Sequence, residues 1–353
     1  MKLIHCADLH LDSPMESNLP TEKARERRSE ILSTFSDLVR HADDNGADAI
    51  LIAGDLFDSK RTTRKTEQYV LGLIEKHPDL SFFYLAGNHD SGNRLFMSET
   101  LPQNLYTFGS DWTSYDLGDV YITGSENPNP DELELSADHI NIVLLHGQQR
   151  ETGTDEQDVI PFRKYRAKNI DYLALGHLHT YREASLDERG IACYSGCLEG
   201  RGFDECGQKG FVLLEIDGQR LTHTFIPFAR RTLREISCDL TDCMSHMEAE
   251  NRLQTATEGI SASDLVKVTL IGDCSPDLMV DHARLEQLLS ERFYFAKLVN
   301  KTRLQIRPED YLHDISLKGE FVRRVMACNL TEHEKEEIIA CGLRALGGEE
   351  LDV

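Results

Sequence analysis

The chain opens with a short apolar run, residues 3–7, that turns polar at Asp8. A long charged stretch follows over residues 21–44, where Ile31, Leu32, Phe35, Leu38 and Val39 recur at helical spacing until Asn45-Gly46 stops them. Residues 48–53 and 81–86 are continuous apolar runs, as expected of strands covered on both faces. Between them Val70, Leu71 and Ile74 mark one face of a helix over residues 63–77. This β-α-β-α-β start predicts a parallel sheet with right-handed crossovers. Beyond residue 105 the pattern shortens into strands at 120–123, 140–145, 172–175, 192–194, 211–216 and 221–226, with turn chemistry at Gly118-Asp119 and Asp217-Gly218.

Composition shifts near residues 227–234, which predicts a first domain over residues 1–229 and a second over 230–353. In the second, strands are expected at 265–271, 294–299 and 302–306, the last two joined by a tight turn at Asn300-Lys301. Helices are expected at 242–257, 281–292, 317–328 and 331–346, the last opened by a capping box of Thr331 and Glu334. No apolar run approaches the roughly 18 residues of a membrane helix. The start MKLIHCADLH lacks the apolar core of a signal peptide, so a cytoplasmic protein is expected. The nine cysteines are scattered without a CxxC pair and read as buried hydrophobes in a reducing compartment. Cys193, Cys197 and Cys206 are the one trio that could be read as part of a zinc site, although no fourth ligand is evident.

Five polar clusters each follow directly on an apolar strand: Asp8-Leu9-His10, Gly54-Asp55-Leu56-Phe57-Asp58, Gly87-Asn88-His89-Asp90, His146-Gly147 and Gly176-His177-Leu178-His179. Ligands of open α/β sheets bind at the carboxyl ends of strands, so these groups are expected to converge. Two carboxylates, one amide and several imidazoles exceed the needs of one metal. They suit two divalent ions such as Mn, Fe or Zn. His5, inside the first strand, reads as a packed core histidine. Asp12 and Asp58 are candidates for orienting ligand histidines or for capping loops.

The order D-x-H, G-D-x-x-D, G-N-H-D, H-G, G-H-x-H resembles the calcineurin-like metallophosphoesterases. The blocks IHCADLHLDSP, AGDLFDS and SGCLEGRGFDECGQKG narrow the resemblance to the DNA-repair nuclease branch, the SbcD-like and YhaO-type bacterial exonucleases. The resemblance implies an α/β fold: a metallophosphoesterase β-sandwich flanked by helices, with a smaller α+β capping domain that binds DNA or a partner. It implies two divalent ions, manganese before Fe, Zn or Mg. One would be held by Asp8, His10, Asp55 and His179, the other by Asp55, Asn88, His146 and His177. It makes His89 the group that faces the phosphate and protonates the leaving oxygen, with Asp90 orienting that ring. Arg61, Arg64 and Arg201 are candidate contacts to DNA phosphates. The implied activity is DNA phosphodiester hydrolysis beside an SbcC-like coiled-coil ATPase, in a protein that forms a homodimer. A small phosphodiester or a phosphoprotein is the alternative substrate, and a docking subunit of an ATPase complex is the alternative of another class. The terminal helices, with Phe321, Val325, Ile338, Ile339, Leu343 and Leu346, are the candidate partner-binding surface.

Charge qualifies the DNA reading. The chain carries 38 basic and 61 acidic side chains, a net of −23. Residues 1–229 hold 22 basic and 38 acidic groups and residues 230–353 hold 16 and 23, so neither domain is basic. Duplex affinity comes mainly from cations on phosphates, and the chain alone is expected to bind DNA weakly.

Overall fold

The computed structural model describes residues 1–15, 19–58, 62–88, 90, 101–151, 158–274, 278, 280–304 and 311–346, with 304 and 344 described by backbone alone. The chain forms two compact units, Met1–Thr232 and Leu233–Val353.

In the first unit β1 (Lys2–Cys6) leads through α1 (Thr21–Asp44) to β2 (Ala49–Ala53), and β2 leads through α2 (Arg64–Glu75) to β3 (Ser81–Leu85). With β4 (Leu105–Thr107) these strands pair in parallel. Next come β5 (Thr113–Asp116), β6 (Val120–Gly124) and β7 (Ile140–His146), then the small pair β8 (Gln148–Arg150) and β9 (Val159–Pro161). The one-turn helix α3 (Phe162–Tyr165) precedes β10 (Tyr172–Gly176), β11 (Arg182–Ser185) and β12 (Ile191–Tyr194). Here β6, β7, β10 and β12 run parallel, with β5 and β11 antiparallel at the edges. The hairpin of β13 (Gly210–Asp217) and β14 (Arg220–Pro227) returns to the first sheet and lies antiparallel on β1. The two six-stranded orders are β14-β13-β1-β2-β3-β4 and β11-β12-β10-β7-β6-β5.

The sheets face each other across one core, in which Leu3, Leu51 and Phe83 meet Ile142, Tyr172 and Ala174. All five residues of β2 are buried, with the second sheet against one face and α1, bearing Phe35, Leu38 and Val39, covering the other. Burial of each large apolar side chain is worth about 1.5–3 kcal/mol, which fixes both layers. This is the mixed α/β sandwich flanked by helices that the sequence predicts.

The second unit comprises β15 (Leu233–Asp239), α4 (His246–Ala256), β16 (Leu265–Ile271), β17 (Asp273–Cys274), α5 (His282–Arg292), β18 (Phe295–Asn300), β19 (Arg303–Leu304), α6 (Leu317–Met326) and α7 (Glu332–Leu346). Its sheet is parallel, β15-β16-β18. The tight turn expected at Asn300-Lys301 is not a hairpin. Strand β18 pairs with β16 and β19 pairs with β17, both in parallel, and the Lys301 N–H donates to the Leu270 carbonyl at 2.8 Å. The chain therefore continues alongside its neighbour rather than folding back. The capping box forms: the Glu334 N–H donates to Thr331 Oγ1 and the Thr331 N–H to Glu334 Oε2, at 3.3 and 2.8 Å. Helices α6 and α7 bury Val325, Ile339 and Leu343 in their own small core and leave Ile338 and Leu346 exposed. No helix among the described residues is long and apolar enough to cross a membrane. All nine cysteines are free thiols.

Candidate metal centre

Because β1, β2 and β3 run parallel, and β7 and β10 likewise, the polar clusters leave the two sheets at corresponding ends. The turns that carry them are sharp. Asp8, His10, Asp55 and His177 all take positive φ, at 51°, 46°, 48° and 103°. Such backbone costs a non-glycine residue about 1–2 kcal/mol. It is held here by N–H donation from Asp8 to the Gly54 carbonyl, from His10 to Asp55 and from Leu11 to Leu56, at 3.1, 3.0 and 2.9 Å. A Cβ on Gly54 would overlap the His146 ring, and one on Gly87 would overlap Asp55, so only glycine permits these approaches.

Two groups of ligand atoms result, Asp8 with His10 and His179, and Asp8 with Asp55 and His146, each set lying within 4.8 Å of one another. The imidazole tautomers follow from their outer partners. His10 Nδ1 stands 3.0 Å from Asp58 Oδ1, and His179 Nδ1 stands 2.7 Å from Glu205 Oε1. A carboxylate oxygen can only accept, so each contact favours the Nδ1–H tautomer with the lone pair on Nε2. Those two Nε2 atoms face each other at 3.2 Å. His146 repeats the pattern: Nδ1 donates to the Ala53 carbonyl at 3.0 Å, and Nε2 faces Asn88 Oδ1 at 2.9 Å and Asp55 Oδ2 at 3.4 Å. Converging lone pairs of nitrogen and oxygen, without thiolate, are what divalent cations require. The donor set thus fits a two-ion centre.

The electrostatics agree. Burial opposes charge on His146, yet the Asp55 and Asp8 carboxylates lift its pKa to about 9. A field that stabilises a proton on this ring also stabilises a divalent cation at the same Nε2. Burial lowers the His10 pKa and outweighs its bond to Asp58, so His10 stays neutral. Burial works against the charge on Asp58, but His10 and Arg201 hold its carboxyl below the usual range. Burial likewise opposes charge on Glu205, and His179 and Arg201 hold it far below that range. Burial raises the Asp8 carboxyl, partly offset by His146, His179 and His10.

Of the residues singled out from sequence, Asp8, His10, Asp55, Asn88, His146 and His179 come together here. His177 enters through its backbone N–H, which donates to both oxygens of Asp8 at 2.9 and 3.1 Å; its ring stands edge-on to His146 with centroids 5.6 Å apart and belongs to neither ligand group. His89 and Arg61 lie outside the described residues. Asp90, expected to orient His89, accepts the Leu56 and Phe57 N–H groups and the Tyr84 hydroxyl, each at 2.8 Å, and so pins the loop beyond Asp55. Arg64 opens α2 on the surface. Arg201 donates to Asp58 and Glu205 rather than standing open to a phosphate. Asp12 accepts the Thr63 N–H at 2.9 Å, the loop-capping alternative. Among the described residues no metal-capable group includes a cysteine. Glu205 and Lys209, whose amine donates to the His179 carbonyl, were not assigned from sequence. Their only local signal is a pair of charges in a glycine-rich stretch.

Residues 1–181 match the family described as calcineurin-like phosphoesterase. The chain is 29% identical over 250 residues to the uncharacterized metallophosphoesterase YhaO of Bacillus subtilis, covering 64% of this chain and 60% of that protein. It is 23% identical over 252 residues to the DNA double-strand break repair protein Mre11 of Methanosarcina acetivorans, covering 66% of this chain and 39% of the relative. To the SbcD component of the SbcCD nuclease of Staphylococcus epidermidis it is 25% identical over 300 residues, 67% of this chain and 71% of that one. The chain thus spans 60% of the length of YhaO and 39% of that Mre11. Facing imidazole lone pairs beside paired carboxylates are what a family built on a dimetal centre needs, and with its first half matched throughout, this chain belongs to the calcineurin-like phosphoesterases, a family of metal-dependent hydrolases.

Proposed function

We propose that the chain is a nuclease: a two-metal phosphodiesterase that hydrolyses DNA, as the SbcD and Mre11 relatives suggest by name. The observation that carries the chemistry is the pair of Nε2 atoms 3.2 Å apart, each left with a lone pair by a carboxylate on its other nitrogen. Asp8, His10, Asp55 and His179 would hold one ion, and Asp55, Asn88, His146 and His177 the other, although the His177 ring joins neither ligand group of the structure. Manganese is the preferred metal. When bound, such a pair neutralises phosphate charge and supplies a hydroxide at neutral pH. The chain's own residues do the rest. Asp55 Oδ2 stands 3.4 Å from His146 Nε2 and 3.9 Å from His10 Nε2, and Asn88 Oδ1 stands 2.9 Å from His146 Nε2. His89, next in sequence to Asn88, donates the proton that the departing sugar oxygen needs. The second unit serves as a capping domain for DNA or a partner, and an SbcC-like ATPase supplies the DNA affinity that a chain of net charge −23 lacks.

The test compares the manganese-loaded protein on labelled double- and single-stranded DNA with a phosphomonoester. DNA cleavage that is abolished by Asp55→Ala together with metal content, and by His89→Ala with metal retained, is the expected result. Cleavage of the monoester with no cut in DNA would refute the nuclease reading.

A further inference from the structure

The loop between β12 and β13 contains one guanidinium, whose Nη2 stands 3.2 Å from His179 Nδ1 as both converge on Glu205 Oε1, and which reaches both facing rings through their carboxylates. Arg201 Nη1 donates to Asp58 Oδ1 at 2.7 Å. Its Nη2 and Nε donate to Glu205 Oε1 at 2.8 and 3.1 Å, and its backbone N–H donates to Glu205 Oε2 at 2.7 Å. Asp58 Oδ1 and Glu205 Oε1 are the same two oxygens that face Nδ1 of His10 and of His179. Each therefore sits between a guanidinium and an imidazole.

We propose that Arg201 is a positioning residue that locks the tautomer of His10 and of His179 together, so that both present Nε2 lone pairs to one cation. The inference rests on the two-metal reading of the site and adds to it the group that couples the imidazoles. A planar fork suits this role, because it fixes two carboxylates at a set separation, which a single ammonium cannot do. The loop that carries Arg201 is anchored from behind. Glu199 is buried and accepts from Arg27 Nη2 at 2.9 Å and from the Thr34 hydroxyl at 2.8 Å, and Arg27 also donates to the Gly200 carbonyl at 2.9 Å. Lys209 and the Cys197 N–H both donate to the His179 carbonyl, which fixes the same ring from its backbone side. Arg201 engages its fork on two carboxylates, where its glycine-bracketed position suggests a phosphate contact.

The test uses full-length protein labelled with 15N-histidine, read first in EDTA by long-range 15N–1H correlation and then by calorimetric titration with Mn2+. In the wild type both rings are expected as Nδ1–H tautomers. Arg201→Lys is expected to give mixed tautomers at both rings and about ten- to hundredfold weaker Mn2+ binding. Its KM for bis(p-nitrophenyl) phosphate at saturating Mn2+ stays unchanged. Glu205→Gln releases His179 alone and Asp58→Asn releases His10 alone, which keeps the test open if Arg201→Lys fails to fold. Unaltered tautomers in Arg201→Lys, or a raised KM with unchanged Mn2+ affinity, would overturn the proposal, the second outcome marking a phosphate contact. A wild type with both Nδ1–H tautomers but no Mn2+ uptake would instead overturn the metal reading and leave the positioning role standing.

Discussion

His5 sits in the middle of the central strand β1, fully buried, with Nδ1 2.9 Å from the Tyr172 hydroxyl across the sandwich. Burial drives its pKa down to about 3, only partly offset by the Leu175 carbonyl. In the unfolded chain the same ring titrates near 6.5. The sign follows from linkage. Below about pH 6.5 the unfolded state takes up a proton that the native state refuses, so stability is full above that pH and falls as pH drops towards 3. At about 1.36 kcal/mol per unit, the fall between pH 6.5 and 4.5 is about 2.7 kcal/mol from this one group. His5→Leu removes the titration at the cost of one buried hydrogen bond, about 1 kcal/mol at every pH. Urea unfolding in EDTA reads the effect through Trp112, the single tryptophan, which packs on the core of the second sheet and so reports the first unit. The wild type should lose about 2–3 kcal/mol more than His5→Leu between those pH values. Parallel pH profiles for the two proteins would refute the buried neutral histidine.

Three further outcomes are expected. Gly54→Ala, at φ 93° with its new methyl in the His146 ring, should abolish divalent-ion uptake, whereas Gly46→Ala, at φ 64° with open space around it, should cost about 1 kcal/mol and leave uptake intact by elemental analysis. Arg27→Met, which strands the buried Glu199 carboxylate, should destabilise the first unit by about 3–5 kcal/mol in urea; a loss under 1 kcal/mol would show that the network is dispensable. Tyr84→Phe removes one donor to Asp90 and should cost about 1.5–3 kcal/mol, while Asp90→Asn should cost more because its amide must face a buried N–H; the reverse order in thermal melts would contradict the pin described above.

The ligand clusters were legible in the sequence because each is local: an apolar run, a glycine, and a donor at a strand end. Parallel strands then deliver those donors to one place whatever lies between them. Glu205, Lys209 and Arg27 were not legible, because their roles depend on which loop packs against which. A carboxylate four residues from an arginine has no local mark that it will meet a histidine 26 residues earlier. The turn at Asn300-Lys301 misled because its residues suit a hairpin, while pairing was decided by β16 and β17 on the far side. Strand β15 was hidden in the charged segment around the domain boundary, because only Leu233 and Cys238 of its seven residues are buried and no alternation marks it.

Strand β1 pairs on one side with β2, some 45 residues away, and on the other with β13, more than 200 residues later. On the ribosome the chain is made at roughly 5–20 residues per second, so β1 waits about 10–40 s for its second neighbour. During that interval the buried strand β1 presents an open edge. Asp8, His10 and Asp55 are made early in that interval, and His179 and the loop that orients it only towards its end. The facing pair of His10 and His179 therefore forms only after the chain has been made to about residue 209.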